Sequence, residues 1–149
     1  MDYINAAHCF DIIERRSQAY IVAACAELDL TYAEYVLLHN LYDHAGSRQD
    51  DLAEMLCVDK AAITRTLKLL EGKGLIKRLP GEQDKRVKYV YPSEKGLAQE
   101  VFLRRVLQRW LDYLAEGVES SFAEVVIAGL QLLAQRAQSV NLPDLVQKK

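Results

Sequence analysis

The chain has 149 residues, half of them hydrophobic and 27% charged, and its net charge is −2 at pH 7. This balance predicts a globular core. No apolar run is long enough to cross a membrane, and the N-terminal residues lack the pattern of a secretory signal. The three cysteines, Cys9, Cys25 and Cys57, form no CxxC pair, which argues against a disulfide scaffold and indicates a reducing cytoplasm.

The first 45 residues contain no Gly or Pro, which predicts two helices separated by a short break. The first helix is expected from about Tyr3 to Ala26. The second begins after Thr31, which is expected to cap it with Glu34 as its capping-box partner, and it ends near Gly46. The predicted buried face of this second helix carries Tyr35, Leu38, Leu41 and Tyr42.

Two shorter amphipathic helices follow. Ser47 is predicted to cap the first and Asp59 to cap the second. Gly72 and Gly74 mark the end of the second helix, and one of them is expected in the left-handed conformation. The residues predicted to be buried are Leu52, Ala53 and Leu56 in the first helix, and Ile63, Leu67 and Leu70 in the second.

The next segment reads as two strands, Leu75–Leu79 and Arg86–Tyr91, around a charged loop that opens at Pro80-Gly81. Side chains that alternate onto one face of the second strand are Val87, Tyr89 and Tyr91. Together with the two short helices, this hairpin has the layout of a winged helix-turn-helix. The predicted fold class is therefore mainly α with a small β wing.

A long helix capped by Ser93 is predicted over about Glu94–Ala115, followed by a last helix over about Ser121–Ser139. The long helix is apolar on two sides, and a partner subunit is the expected cover for the second one. The wider apolar face carries Leu103, Leu107, Trp110, Leu111 and Leu114. A second apolar strip near the opposite side carries Phe102, Val106 and Tyr113.

Basic residues are concentrated in one part of the chain. Residues 60–88 contain nine Lys or Arg against three acids, a local charge of +6, so the remainder of the chain carries −8. A basic patch on an acidic body attracts phosphate at that patch and repels it elsewhere. An ordinary solvated face is the alternative, which the grouping within one motif disfavours.

The recognition helix is expected to be Lys60–Glu71. Arg and Lys pair with guanine, Thr donates to a base or packs its methyl on thymine, and small residues allow close approach. The DNA-contacting residues predicted on this helix are Lys60, Ala61, Thr64, Arg65 and Lys68.

The loop between the strands adds Asp84, Lys85 and Arg86 to the predicted DNA-binding residues. In an extended segment Asp84 and Arg86 point the same way, so the carboxylate is expected to hold the guanidinium in one orientation. An oriented Arg can enter a minor groove or bind phosphate. The same pattern also fits a turn with unrelated charges.

The segments DLAEML, VDKAAITRTLKLLEGKGLIKR, DKR and SEKG resemble the MarR family of bacterial transcriptional regulators over about Thr31 to Gly96. The most specific parts are the run LEGKGLI and the DKR of the wing. The resemblance implies one MarR-like domain over residues 1–149, with the winged helix-turn-helix at about 31–96. It also implies a homodimer joined through helices at about 1–28 and 93–145, with one recognition helix and one wing in each half-site.

Within that family, Cys9 in the first helix and Thr31-Tyr32 at the second resemble the organic-peroxide-sensing OhrR branch. There a first-helix thiolate is held by tyrosine hydroxyls and reacts with hydroperoxide. The resemblance implies Cys9 and Tyr32 as sensor residues, with Tyr20 as a second tyrosine. Free cysteines are more often small buried hydrophobes, so a packing role for Cys9 stays open.

Other chemistries have weaker support in the sequence. The three histidines, His8, His39 and His44, have no useful ligand spacing, so no metal is expected, and no cofactor motif is present. Cys25 and Cys57 are interpreted as packing residues. An enzyme is not expected, because no acid, base and nucleophile converge.

The sequence therefore predicts a sequence-specific repressor that binds double-stranded DNA as a homodimer. Its release is expected from a small phenolic or apolar ligand or from peroxide. The alternative is a winged-helix protein-interaction module that does not bind DNA. That alternative predicts an apolar or acidic recognition helix, against which Lys60, Arg65 and Lys68 argue.

Overall fold

A computed structural model describes residues 3–147. The chain divides into two compact units, one up to Leu111 and one from Asp112 onward. The first unit contains α1 (Tyr3–Ala24), α2 (Tyr32–Asp43), β1 (Ser47–Arg48), α3 (Gln49–Met55), α4 (Lys60–Gly72), β2 (Ile76–Pro80), β3 (Lys88–Pro92), α5 (Glu94–Ala98) and most of α6 (Glu100–Leu114). The second unit contains the end of α6, α7 (Ser120–Ser139) and α8 (Leu142–Gln147). The predicted class, mainly α with a small β wing, is confirmed; the outermost residues of the predicted domain, 1–2 and 148–149, lie outside the described residues.

The junction between α1 and α2 matches the sequence prediction closely. α1 ends two residues before the predicted end, and a 3-10 turn over Ala26–Leu28 follows. The predicted capping box is confirmed: the Thr31 side chain accepts from the Glu34 amide at 3.3 Å, and Glu34 accepts from the Thr31 amide at 2.8 Å. Both bonds satisfy backbone donors that the start of a helix leaves unpaired.

A third strand was not predicted, and it changes the expected role of Ser47. Ser47 pairs with Val90 in an antiparallel sheet of order β1-β3-β2, and its hydroxyl donates to the His44 carbonyl at 2.7 Å. The prediction that Ser47 caps the next helix is therefore wrong. Arg48 takes the N-cap position of α3 without a side-chain bond. The left-handed turn at Gly46, with φ of 83°, brings the chain alongside β3 and makes this pairing geometrically accessible.

The other two strands are displaced slightly from their predicted bounds. β2 begins one residue later than expected, and β3 runs over Lys88–Pro92 in place of Arg86–Tyr91. The predicted alternation holds, because Val90 is buried while Val87, Tyr89 and Tyr91 are half-buried on the other face. Gly74, with φ of 72°, is the glycine that takes the left-handed conformation after α4.

The core of the first unit lies between the helices and the buried face of the sheet. It is built mainly from leucines whose burial the helical spacing predicted. Of the residues predicted to be buried in α3 and α4, only Leu56, at the C-cap of α3, is half-buried. Fully buried members include Leu38, Leu41, Leu52, Leu67, Leu70, Val90 and Leu103. This packing fixes α3, α4 and the sheet as one body.

The predicted long helix after Ser93 is two helices, α5 and α6, separated at Gln99. Gly96 packs so closely on the backbone of Leu75 that a Cβ would lie 2.1 Å from the Leu75 carbonyl oxygen. The close contact anchors α5 beside β2, and the Gln99 amide closes a turn on the Gly96 carbonyl before α6 begins.

The assignment of apolar faces on this helix was partly wrong. Val106 lies in the core with Leu103, because residues three apart share a helix face. Leu111 and Leu114, assigned to the wide buried face, are 48% and 41% exposed. Of the opposite strip, Phe102 and Tyr113 are exposed as expected.

The second unit is dominated by α7, which begins one residue before its predicted start, and by α8, which was not predicted. No residue of either helix is buried. The exposed apolar side chains of α7 include Phe122, Val125, Val126, Ile127, Leu130, Leu132 and Leu133. Among residues 3–147, no helix is both long and apolar enough to cross a membrane.

Candidate nucleic-acid interface

The exposed face of α4 carries the predicted DNA contacts. Asp59 caps the helix by accepting a hydrogen bond from the Ala62 amide at 2.9 Å. The opposite face of the helix is buried in the core through Ile63, Leu67 and Leu70, which are four and three residues apart. Of the predicted contacts, Lys60, Ala61, Arg65 and Lys68 are exposed.

Thr64 lies on the same face but is half-buried, and its hydroxyl is already engaged. The Thr64 hydroxyl donates to the Lys60 carbonyl at 2.7 Å and accepts from the Gln49 side-chain amide at 2.7 Å. Because a hydroxyl has one proton, Thr64 has none left to donate to a base in this arrangement. Of the two roles predicted for Thr64, methyl contact with thymine is the one that this geometry leaves open.

Lys60 forms an ion pair with Asp50 at the start of α3, with 3.3 Å between Nζ and Oδ2. Both side chains are more than half exposed, so the pair contributes no more than about 1 kcal/mol. A phosphate can therefore replace Asp50 at little cost. Arg65 and Lys68 take part in no ion pair within the described residues.

The wing loop differs from its predicted geometry at Asp84. The carboxylate accepts from the backbone amide of Arg86 at 2.9 Å, and it does not hold the guanidinium. An aspartate two residues before an amide closes a local turn in this way, which the extended-segment argument overlooked. The Arg86 and Lys85 side chains are exposed and have no ion-pair partner among residues 3–147.

Two further residues join this surface that the sequence analysis missed. Arg48 and Gln49 line a concave surface of about 350 Å³ together with Asp50, Arg86, Val87 and Lys88. Arg48 reaches the wing because β1 pairs with β3, opposite Tyr89. Its charge was visible in the sequence, but without the third strand nothing indicated that it lies beside the wing.

Two of the nine basic residues in the 60–88 segment are bound to carboxylates that support the fold. Lys73 Nζ lies 2.9 Å from both carboxylate oxygens of Glu34, and it also donates to the Asp29 carbonyl. Arg78 pairs with Glu71 at the end of α4. Lys73 and Arg78 therefore position α4, and the charge free for phosphate is smaller than the sequence count.

The Glu34 carboxylate is fully buried. Burial alone would raise its pKa, but hydrogen bonds from Lys73 and Thr31, with the Lys73 charge, outweigh that effect and hold the pKa below its ordinary value. Glu34 is thus ionised at neutral pH, and it joins the start of α2 to the end of α4.

The predicted sensor residues lie in different parts of the first unit. Cys9 is exposed on α1 and has no hydrogen bond within the described residues. Tyr20 stacks on Trp110, with ring centroids 5.1 Å apart. Tyr32 lines a groove of about 490 Å³ against α1, and the centre of that groove lies about 15 Å along the helix from Cys9. One subunit therefore does not bring Cys9 beside either tyrosine.

The groove at Tyr32 is built from both polar and apolar side chains. Its other lining residues are Arg15, Gln18, Ala19, Val22 and Ala23. Burial and the nearby Glu14 carboxylate raise the Tyr32 pKa, so its hydroxyl stays protonated and able to donate a hydrogen bond.

The other cysteines and the histidines lie apart from these surfaces. Cys25 is buried and its pKa is raised by burial, whereas Cys57 is exposed in the turn between α3 and α4. His39 is half-buried against Tyr35. In the described part of the chain, no three His, Cys, Asp or Glu side chains are grouped as metal ligands.

Comparison with known proteins identifies relatives along most of the chain. The MarR family profile matches residues 30–88. The chain is 37% identical over 102 residues to YybA of Bacillus subtilis, an uncharacterized HTH-type transcriptional regulator, and the match covers 68% of each chain. A crystal structure of MarR is 27% identical with a TM-score of 0.80, covering 88% of this chain and 89% of that one. A mutant MarR from E. coli complexed with operator DNA shares the fold at 22% identity, with a TM-score of 0.78 over 89% and 95% of the two chains.

Proposed function

The chain belongs to the MarR family of transcriptional regulators, which are not enzymes, and we propose that it is a repressor that binds a pseudo-palindromic operator as a homodimer. The observation that carries this proposal is the exposed basic face of α4 beside a wing whose Lys85 and Arg86 are unpaired within residues 3–147. Such a helix fits the major groove and such a hairpin fits the flanking backbone.

Within this proposal the residues have distinct roles. Arg65 and Lys68 pair with guanine acceptors, and Ala61 allows the helix to approach the bases. Arg86 and Lys85 bind phosphate or the minor groove beyond the recognition helix, and Asp84 shapes the loop that presents them. Lys60 exchanges Asp50 for a phosphate oxygen.

The homodimer is proposed from the apolar surface on the terminal helices. α1 buries Ile21 alone and exposes Ile4, Phe10, Ile12 and Ile13, while α7 buries no residue. Exposed apolar area of this extent is typical of a subunit interface. The proposed division is a DNA-binding part at about 31–96 and dimerising helices at about 1–28 and 93–145.

The release signal is proposed to be a small apolar or phenolic ligand in the groove at Tyr32. The groove offers apolar walls, the Arg15 guanidinium and a protonated phenol, a combination that suits an aromatic anion. Oxidation of Cys9 is the second candidate, and it requires a hydroxyl donor from the partner subunit, because Cys9 has no hydrogen-bond partner among residues 3–147.

Selection from random duplex DNA tests the function, followed by titration of the selected duplex with salicylate-like phenolic acids or with peroxide. We expect an inverted repeat to be enriched and a phenolic acid to release it. Peroxide release that is abolished in Cys9→Ser but kept in Cys57→Ser would assign the signal to Cys9. Failure to enrich any sequence with folded protein would contradict the proposed function.

A further inference from the structure

Gln49 lies where α3 meets the recognition helix, and its amide orientation follows from its neighbours. The Gln49 amide group lies 2.7 Å from the Thr64 hydroxyl oxygen. That hydroxyl donates its only proton to the Lys60 carbonyl oxygen, which also lies 2.7 Å away. The Thr64 oxygen can therefore only accept, so the group of Gln49 that faces it must be the NH₂ and not the carbonyl.

This arrangement leaves Gln49 with one acceptor and one donor to offer. Its Oε1 and its second amide proton have no partner among the described residues, and the side chain is half-buried at the margin of the recognition face. Thr64 lies four residues from both Lys60 and Lys68, so all three share one face of α4. Gln49, bonded to Thr64, is thereby held at that face.

We propose that Gln49 is a specificity-determining residue that reads an adenine in the major groove of each half-site. Adenine presents an N6 donor and an N7 acceptor, which match Oε1 and the remaining amide proton. Guanine presents two acceptors, so its O6 would face Oε1 without a proton between them. This proposal rests on the proposed DNA-binding function.

The surroundings of Gln49 favour this role over that of a surface amide. The adjoining concave surface carries Arg48, Arg86 and Lys88, whose charges suit the phosphates that flank a base in the groove. Thr64 also restricts the Gln49 side chain before DNA arrives, which lowers the ordering cost of binding. A base contact from α3 would add one recognised base pair per half-site to those that α4 contacts.

The test is selection from random duplex DNA with wild type, Gln49→Ala and Gln49→Glu, followed by competition between duplexes that differ at one base pair. Gln49→Ala should lose about 5- to 150-fold in discrimination at one position per half-site, the value of one bidentate base contact. Gln49→Glu should prefer cytosine there, since a carboxylate accepts from cytosine N4, and the Thr64 hydroxyl can turn from the Lys60 carbonyl to donate to the new carboxylate. Thr64→Val keeps the side-chain shape, removes the anchor, and should weaken discrimination at the same position.

Gln147→Glu is the control for added charge, because it places the same change at the exposed end of α8, outside the DNA-binding and dimerising segments. It should select the wild-type sequence. The inference is overturned if both Gln49 variants select the wild-type bases with unchanged discrimination, or if they lose affinity equally for every sequence. If wild type enriches no sequence at all, the proposed function itself fails, and that result is distinct from a failure at Gln49.

Discussion

At the scale of single residues, six of the nine basic side chains of the 60–88 segment form two groups with different roles. Lys73 and Arg78 are bound to Glu34 and Glu71 and serve the fold. Arg65, Lys68, Lys85 and Arg86 are exposed without ion pairs within the described residues, and these are the side chains proposed to bind DNA. A substitution in the first group should affect stability, and one in the second should affect binding.

Arg65→Ala and Arg86→Ala should each weaken operator binding by about 1–3 kcal/mol, the value of one lost base contact or oriented phosphate contact. Arg65→Ala should also relax base preference. Lys85→Ala should weaken binding to all DNA sequences alike. The number of counterions released on binding, measured from the salt dependence of the affinity, should fall by about one per subunit. Fluorescence anisotropy with labelled duplex measures both quantities. Arg109→Ala on α6, with its dimer verified by sedimentation, is the matched control away from α4 and the wing. Unchanged affinity in both Arg65→Ala and Arg86→Ala would show that the recognition surface lies elsewhere.

The accuracy of the sequence-based predictions for single residues depends on which structural information each prediction needed. Exposure of Lys60, Arg65 and Lys68 followed from helical spacing and is confirmed. The Asp84–Arg86 ion pair was wrong because a two-residue separation also permits a backbone turn. Arg48 and Gln49 were missed because their role depends on a contact between segments distant in sequence.

At the scale of elements, local signals predicted helix starts well. Thr31, Asp59 and Ser93 all cap as expected, since a cap needs only the residues beside it. β1 was missed because two residues are too few to show alternation, and the strand exists only by pairing with β3. Gly96, three residues before the break at Gln99, makes a close tertiary contact with Leu75 that no local pattern reveals.

Glycine substitutions test this last contact. Gly96→Ala should destabilise the protein by about 1–3 kcal/mol or more, because its methyl would collide with the Leu75 carbonyl. Gly72→Ala is the matched control: it lies in α4 with nothing within 4 Å of the added methyl, and it should stabilise by about 0.4–1 kcal/mol. Urea denaturation gives both free energies. The close packing of Gly96 on Leu75 would be refuted if Gly96→Ala left the free energy of unfolding unchanged. It would also be refuted if both substitutions changed that free energy by the same amount in the same direction.

The buried Glu34–Lys73 pair predicts a pH dependence. Because the folded pKa of Glu34 lies below its ordinary value of 4.5, its stabilising contribution is complete above about pH 4.5 and is lost as pH falls through the folded pKa. Glu34→Gln should destabilise at pH 7 by about 1–3 kcal/mol, and its difference from wild type should shrink in acid. Glu71→Gln, at a pair whose carboxylate is 40% exposed, should lose at most about 1 kcal/mol. If the difference in free energy of unfolding between the wild type and Glu34→Gln stayed constant from pH 7 to pH 3, the stabilising role of the Glu34–Lys73 pair would be contradicted.

At the scale of the whole molecule, charge and apolar surface are separated along the chain. The 60–88 segment carries +6, the remainder carries −8, and most exposed large apolar side chains lie on α1, α6, α7 and α8, outside that segment. This distribution suits a protein that binds a phosphate backbone with one part and its own copy with another.

The proposed dimer has a direct measurement. Sedimentation equilibrium at micromolar concentration should give twice the subunit mass of 16.9 kDa, because a stable monomer would leave the apolar faces of α1 and α7 in water. A monomer under these conditions would remove the basis for two half-sites.

The central claim is that this MarR family member recognises a specific operator. Anisotropy titrations of the wild type should compare the selected inverted repeat with a scrambled duplex of equal length across 50 to 200 mM salt. We expect at least about 1,000-fold tighter binding to the selected duplex, with log affinity falling linearly as log salt rises. Equal affinity for both duplexes at every salt concentration would contradict it.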